Sequence, residues 1–198
     1  MLKIVSKPMG FLETNCYIIY LPKGEIIVDP GMEADEWVIQ NIQNPLAILN
    51  THGHFDHVWS NYALQTKLKT FLYTPKLDVF MLQNDPFGYG MPSSKPDFEV
   101  DGDEKFEIGG IEVDFIHFPG HTPGCSAIKI EDALFSGDFI FKNSIGRTDF
   151  PYSSPEDMKK SIMKFLKIEE DLKVYPGHGA NTSVKAEQKN LPSWLEYI

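Results

Sequence analysis

The chain has 198 residues, of which 42% are hydrophobic, 13% aromatic and 23% charged, a composition that supports a packed core and argues against disorder. Its formal charge of −10, with acidic residues spread along the chain, argues against a phosphate backbone as partner, so no nucleic acid is expected. No stretch approaches the roughly 20 apolar residues of a membrane span and the N-terminus lacks the pattern of a secretory signal, so the expectation is one cytoplasmic domain without membrane association.

The early part reads as a meander of strands: LKIVS, NCYIIYLP and EIIVDPG, with Pro22-Lys23-Gly24 as a turn. A helix pattern follows Gly31, with Trp37, Val38 and Ile42 on one face, and Ile48-Leu49 then reads as a buried strand running into THGHFDH. The spacing of Val58, Tyr62, Leu64 and Leu68 predicts a helix to about Lys69, with Asp56 and His57 near its start, where the helix dipole favours an acid. A short strand, Thr70 to Tyr73, and a helix, Pro75 to about Leu82, come next. The segment 83–105 is rich in Pro, Gly and Asp and is either a surface connection, the preferred reading, or a flap over a site.

The second half returns to strands, FEIGG and IEVDFIHF around Gly109-Gly110, then SAIKI and ALFSGDFIF. The helix PEDMKKSIMKFLKI has Ser153-Ser154 as cap candidates and Pro155 in its first turn. The strand DLKVYPGHG and a closing helix, about Ser183 to Asn190, complete the chain. Strands in both halves with recurring helices predict two sheets packed face to face with helices outside. Trp37, Trp59, Phe135 and Phe139 read as core, and Cys16 and Cys125 as buried thiols.

Chemistry collects in a few short segments. THGHFDH places three histidines and an aspartate in seven positions directly after an apolar run; surface polar stretches favour Lys, Glu and Ser instead. FPGHTPG, LFSGD and VYPGHG share one design, an apolar strand followed at once by His121, Asp138 or His178 among Gly and Pro. Five of the six histidines, His52, His54, His57, His121 and His178, fall in these segments, and with Asp56 and Asp138 they could hold one metal ion or two, two being the natural count for seven ligands. Two dications about 3.5 to 4 Å apart repel by roughly 17 to 19 kcal/mol at an effective dielectric of 20. Neutral imidazoles cannot offset that, whereas a bridging carboxylate and a bridging hydroxide can, which gives Asp138 a role that another histidine could not fill.

These four segments, T-H-x-H-x-D-H, P-G-H-T-P-G, S-G-D and P-G-H-G, resemble in order the motifs of the metallo-β-lactamase fold superfamily. The resemblance implies an α+β protein, the αββα sandwich of two mixed sheets. It implies one divalent metal on His52, His54 and His121, a second on Asp56, His57 and His178, and Asp138 bridging, with zinc expected and iron or a mixed pair as alternatives. The segment S-I-G-R-T-D-F-P, 144–151, looks like the short bacterial and archaeal relatives of glyoxalase II. Those enzymes hydrolyse the thioester of a hydroxyacyl-glutathione, and a basic residue at the position of Arg147 holds the thiol part. Arg147 is the single arginine beside 17 lysines, and it could equally pair with Asp149 to brace its loop. The chain stops 20 residues after His178, short of the helical extension of full-length glyoxalase II.

The expected activity is hydrolysis of a small-molecule thioester, possibly glutathione-derived, by a metal-held hydroxide, with Asp56 orienting it and accepting its proton. The alternatives are a mononuclear-iron persulfide dioxygenase using His52, His121 and Asp138, and a non-catalytic metal-binding or partner-binding domain. His117 reads as a strand histidine, the alternative being a partner behind His121. Tyr89, Tyr152 and Tyr175 are each candidates to reach a substrate.

Overall fold

The computed structural model describes residues 2–198. The chain runs through β1 (Lys3–Met9), β2 (Thr14–Leu21), β3 (Gly24–Val28), α1 (Ala34–Asn41) and β4 (Pro45–Leu49). It continues with α2 (Phe55–Val58), α3 (Asn61–Leu68), β5 (Phe71–Pro75), α4 (Val79–Asn84), β6 (Phe98–Val100), β7 (Glu104–Ile108) and β8 (Ile111–His117). Then come β9 (Ser126–Ile130), β10 (Ala133–Gly137), β11 (Ile140–Phe141), β12 (Ser144–Ile145), α5 (Pro155–Phe165), β13 (Lys173–Pro176), β14 (Thr182–Ser183) and α6 (Val184–Trp194).

Strand periodicity builds the layers. In β2, Tyr17, Ile19 and Leu21 face the partner sheet while Cys16 and Ile18 face helices, and all five are buried. Such a strand, covered on both faces, reads as a continuous apolar run. Strands β1 to β6 form one mixed sheet in sequence order, and a second follows the order β14-β13-β10-β9-β8-β7. Phe115, Ile128 and Phe135 of the second sheet meet Ile19, Ile26 and Leu49 of the first in the central core. Val38, Leu64 and Leu82 cover the outer face of the first sheet, and Met158, Ile162, Phe165 and Leu191 that of the second. This is the metallo-β-lactamase αββα sandwich, as expected. Cys16 and Cys125 are both buried free thiols, and Phe135 and Phe139 are fully buried while Trp37 and Trp59 pack at the core's edge.

Several boundaries move for identifiable reasons. The third strand stops at Val28, because Asp29 turns to φ +49° and so aims its carboxylate away from the ladder. The single helix expected over 58–69 is interrupted at Trp59-Ser60: the Ser60 hydroxyl donates to the Gly31 carbonyl (2.6 Å) and its N–H to the Pro30 carbonyl (3.0 Å), so these groups serve a neighbouring loop. Within 83–105, the three residues of β6 extend the first sheet by parallel pairing with β5. For α5, Ser154 is the cap, its hydroxyl accepting from the Asp157 N–H at 3.1 Å. Among the described residues no helix is long and apolar enough to cross a membrane.

Candidate metal centre

The C-terminal ends of four strands supply the expected side chains. His52, His54, Asp56 and His57 follow β4, His121 follows β8, Asp138 follows β10 and His178 follows β13. Ligand atoms of His52, His54 and His121 lie within 4.8 Å of one another, and so do those of Asp56, His57 and His178. Asp138 reaches both groups: Oδ1 is 3.2 Å from His57 Nε2, and Oδ2 is 3.4 Å from His178 Nε2 and 3.5 Å from His121 Nε2. All seven side chains therefore converge.

What lies behind the rings fixes their tautomers. Nδ1–H of His57 donates to Asp29 (3.0 Å), that of His121 to the Arg147 carbonyl (2.8 Å) and that of His178 to the Leu12 carbonyl (3.1 Å). The Thr51 hydroxyl donates to Asp29 at 2.6 Å, which leaves its lone pair for His52 Nδ1–H at 3.1 Å. When each of the four rings is neutral, as metal binding requires, Nε2 is thus the unprotonated nitrogen, turned toward the cluster. Asp29 also groups with His52 and His57, but its oxygens are engaged by the Thr51 N–H, the Thr51 hydroxyl and His57, so it orients ligands instead of acting as one.

Whether metal ions fit can be judged from unsatisfied atoms. Five buried side-chain polar atoms among the described residues have no hydrogen-bond partner, and four of them, Nε2 of His52, His57 and His121 and Oδ1 of Asp138, are here. A buried atom left without a partner costs about 1 to 3 kcal/mol; His57 Nε2 and Asp138 Oδ1 can offset each other at 3.2 Å only while His57 is protonated, so the concentration of such atoms at one point fits a pair of cations. Gly177 keeps the space open, since a Cβ there would fall on Asp138 Oδ1 and 2.6 Å from His57 Cε1.

The electrostatics of the two groups differ. Burial pushes His52 well below its usual pKa, His54 down to about 3, and His121 down as well, so these three are neutral and ready to coordinate. Burial opposes charge on Asp138 and Asp56 too, yet His57 and His178 beside them outweigh it, holding Asp138 well below the carboxylate range and Asp56 at about 2. Burial likewise opposes a proton on His57 and His178, but the two carboxylates win, raising His57 and bringing His178 to about 9. A metal must displace those protons. Titrating metal-free protein with zinc at pH 7 is therefore expected to release at least one proton per chain, read as a calorimetric heat that varies with the buffer's ionisation enthalpy. With His178 near 9, affinity at the second group should fall about tenfold per pH unit below that value for each proton displaced. A buffer-independent heat would contradict this.

Other elements hold the loops. Asp78, fully buried, accepts from the Gly53 N–H (2.9 Å), the Thr122 hydroxyl (2.6 Å) and the Gly124 N–H (2.6 Å), joining the loops of His52, His54 and His121. The Thr14 hydroxyl donates to Asp56 at 2.7 Å, and Asn15 and Tyr17 bind the carbonyls of Pro176 and Gly179 beside His178. Asp29 carries a sequence signal of the same design, since IIVDPG is another apolar strand ending in an acid before Pro and Gly. Asp78 and Thr14 carry none.

A cavity of about 620 Å³ opens over the cluster, lined by His54, Asp56, His121, Asp138 and His178 and walled by Phe11, Leu12, Phe55, Phe87, Tyr89, Phe141, Phe150, Pro151 and Arg147. The segment 83–105 is therefore more than a surface connection, because Phe87 and Tyr89 form part of this wall. Of the three candidate tyrosines only Tyr89 lines the cavity; Tyr152 packs on Phe80 and Phe87, and Tyr175 on Tyr17 and Phe135. His117 Nε2–H donates to the Pro123 carbonyl at 2.8 Å, bracing the His121 loop without touching the ring. Arg147 reaches the wall with its guanidinium engaged by Asp149 through Nε (2.8 Å) and Nη2 (2.7 Å).

A two-sheet sandwich with clustered histidines and aspartates beyond its strand ends defines a metallo-hydrolase scaffold. The chain belongs to the Metallo-beta-lactamase superfamily, whose profile matches residues 9–178. It is 33% identical over 202 residues to hydroxyacylglutathione hydrolase GloC of Haemophilus influenzae, covering 93% of this chain and 94% of that one. Among solved structures, the BLEG-1 B3 metallo-beta-lactamase aligns with a TM-score of 0.88 at 30% identity, covering 98% of this chain and 99% of that one. TTHA1623 in a di-iron-bound form aligns with a TM-score of 0.81 at 30% identity, covering 96% and 99%.

Proposed function

We propose that the protein is a metal-dependent hydrolase that cleaves the thioester of a small molecule, a hydroxyacyl-glutathione being the example offered by the name of its Haemophilus influenzae relative. The observation that carries this reading is Asp138, within 3.5 Å of imidazole nitrogens in both groups. His52, His54 and His121 would hold one divalent ion and Asp56, His57 and His178 the other, with Asp138 shared. Zinc suits these donors, and the di-iron form of TTHA1623 supports iron as the alternative. When bound, such ions lower the pKa of water toward about 7 and polarise a carbonyl.

The chain's own residues supply the rest. Asp56, kept ionised and oriented by the Thr14 hydroxyl, accepts a proton as the water oxygen bonds to the acyl carbon. The C–S bond then breaks and its electron pair leaves on sulfur. A thiolate whose conjugate acid has a pKa near 8.5 departs without a general acid. Arg147 is the candidate contact to the thiol part of the substrate.

Turnover of S-lactoylglutathione and a thioester panel by metal-loaded protein tests this reading. Asp56→Ala and His54→Ala, with metal content verified, are expected to lose at least about 100-fold; wild-type turnover in either would overturn it. Oxygen uptake on glutathione persulfide with one iron per chain would favour a persulfide dioxygenase instead. No hydrolysis across thioesters and lactones by fully metallated protein would favour a non-catalytic binding domain.

A further inference from the structure

Building on the thioester-hydrolase reading, we infer that the cavity selects a thioester with an uncharged, apolar acyl group, a medium-length hydrocarbon or an aryl group, over the polar, carboxylate-bearing conjugates of glutathione.

The acyl group is bonded directly to the carbon under attack, so it lies within the cavity walls whichever way the thiol points. Those walls are apolar. Phe11 and Leu12, in the turn between β1 and β2, are 71% and 43% exposed, so core packing does not account for them; they stand at the cavity wall. Phe11 stacks on Phe55, Tyr89 lies 4.0 Å from the same ring between centroids, and Phe87 stands edge-on to His54 at 5.6 Å. Aromatic walls of this kind hold hydrocarbon and aryl groups by burial and by offset or edge contacts.

Charge points the same way. Among the described residues lining the cavity, Arg147 is the only lysine or arginine. Two of its planar donors already serve the carboxylate of Asp149, and its face lies 4.2 Å from the centre of the Phe150 ring. A substrate carboxylate would have to share the guanidinium with the Asp149 carboxylate, in a chain that carries a formal charge of −10. An acyl chain without charge meets no such competitor, and its transfer from water to these walls is favourable.

The test compares metal-loaded protein on acetyl, hexanoyl and phenylacetyl thioesters of N-acetylcysteamine and on S-lactoylglutathione. The hexanoyl and phenylacetyl compounds are expected to exceed the acetyl one in kcat/KM by at least about tenfold, given the transfer free energy of four extra methylenes, and to exceed S-lactoylglutathione as well. Phe87→Ala should lower the hexanoyl-to-acetyl ratio by about fivefold or more, chiefly through KM; a residue that only supported the fold would depress all substrates alike. Asp149→Asn, which removes the charge competing for Arg147, should raise kcat/KM for S-lactoylglutathione and leave the hexanoyl compound nearly unchanged. A flat acyl series, or S-lactoylglutathione as the best substrate, overturns the inference and leaves the thioester reading standing. Failure to cleave any of the four overturns both.

Discussion

Replacing Asp138 with alanine is expected to lower the metal content from two ions per chain to at most one and to cut kcat/KM by at least about a thousandfold. Removing a group that merely orients a ligand typically costs 10 to 100-fold, and Asp138 is the side chain within reach of both histidine groups. Without its charge, two dications lose the anion that offsets their repulsion, roughly 17 to 19 kcal/mol at an effective dielectric of 20. Asp138→Asn separates charge from shape: it preserves the packing against Gly177 and should behave as the alanine variant does. Elemental analysis, kcat/KM and circular dichroism to confirm folding provide the measurements. Two tightly held ions at wild-type turnover would refute the shared-ligand role.

The second large effect is expected at Asp78, outside the cluster. Asp78→Ala leaves two backbone N–H groups and one hydroxyl buried without their acceptor, for which a destabilisation of about 2 to 4 kcal/mol is expected. Because these bonds tie the loop of His52 and His54 to that of His121, zinc affinity at that group should fall at least about tenfold. Proton release from His57 and His178 should persist. Burial raises the Asp78 carboxyl from 3.8 to about 6, so between those values the native state holds a proton there that the unfolded chain has lost. Its contribution to stability is full below 3.8 and is lost as pH rises through 6. Urea unfolding of metal-free protein should therefore show a larger gap between wild type and variant at pH 4.5 than at pH 7.5. No gap at either pH, with unchanged zinc affinity, would show that Asp78 is dispensable.

The residues of the cluster are legible in the sequence because each follows an apolar strand directly, so local pattern reports both the strand end and the ligand. Asp78 is illegible for the opposite reason: its partners lie 25, 44 and 46 residues away, and nothing in KLDVF distinguishes it from any acid at a helix start. Thr14 meets Asp56 across 42 residues and is hidden in the same way. The two sheets and outer helices follow from periodicity, whereas β6, three residues long and paired only through its neighbour in space, does not. Ser60 breaks a helix that its periodicity favours because its hydrogen bonds go to the Pro30-Gly31 loop. Phe11 and Phe87 lie 76 positions apart, and only the tertiary structure sets them on the same cavity as Arg147.

One consequence of the layered architecture concerns mechanical integrity. His52, His54, Asp56 and His57 hang from the first sheet, and His121, Asp138 and His178 from the second, so bound ions would rivet the sandwich shut at one rim. An unfolded chain scatters these donors over 126 residues, from 52 to 178, and offers no comparable grip, so ion affinity adds directly to the work of pulling the halves apart. Chelators should then act as denaturants of the whole molecule, and not of its chemistry alone.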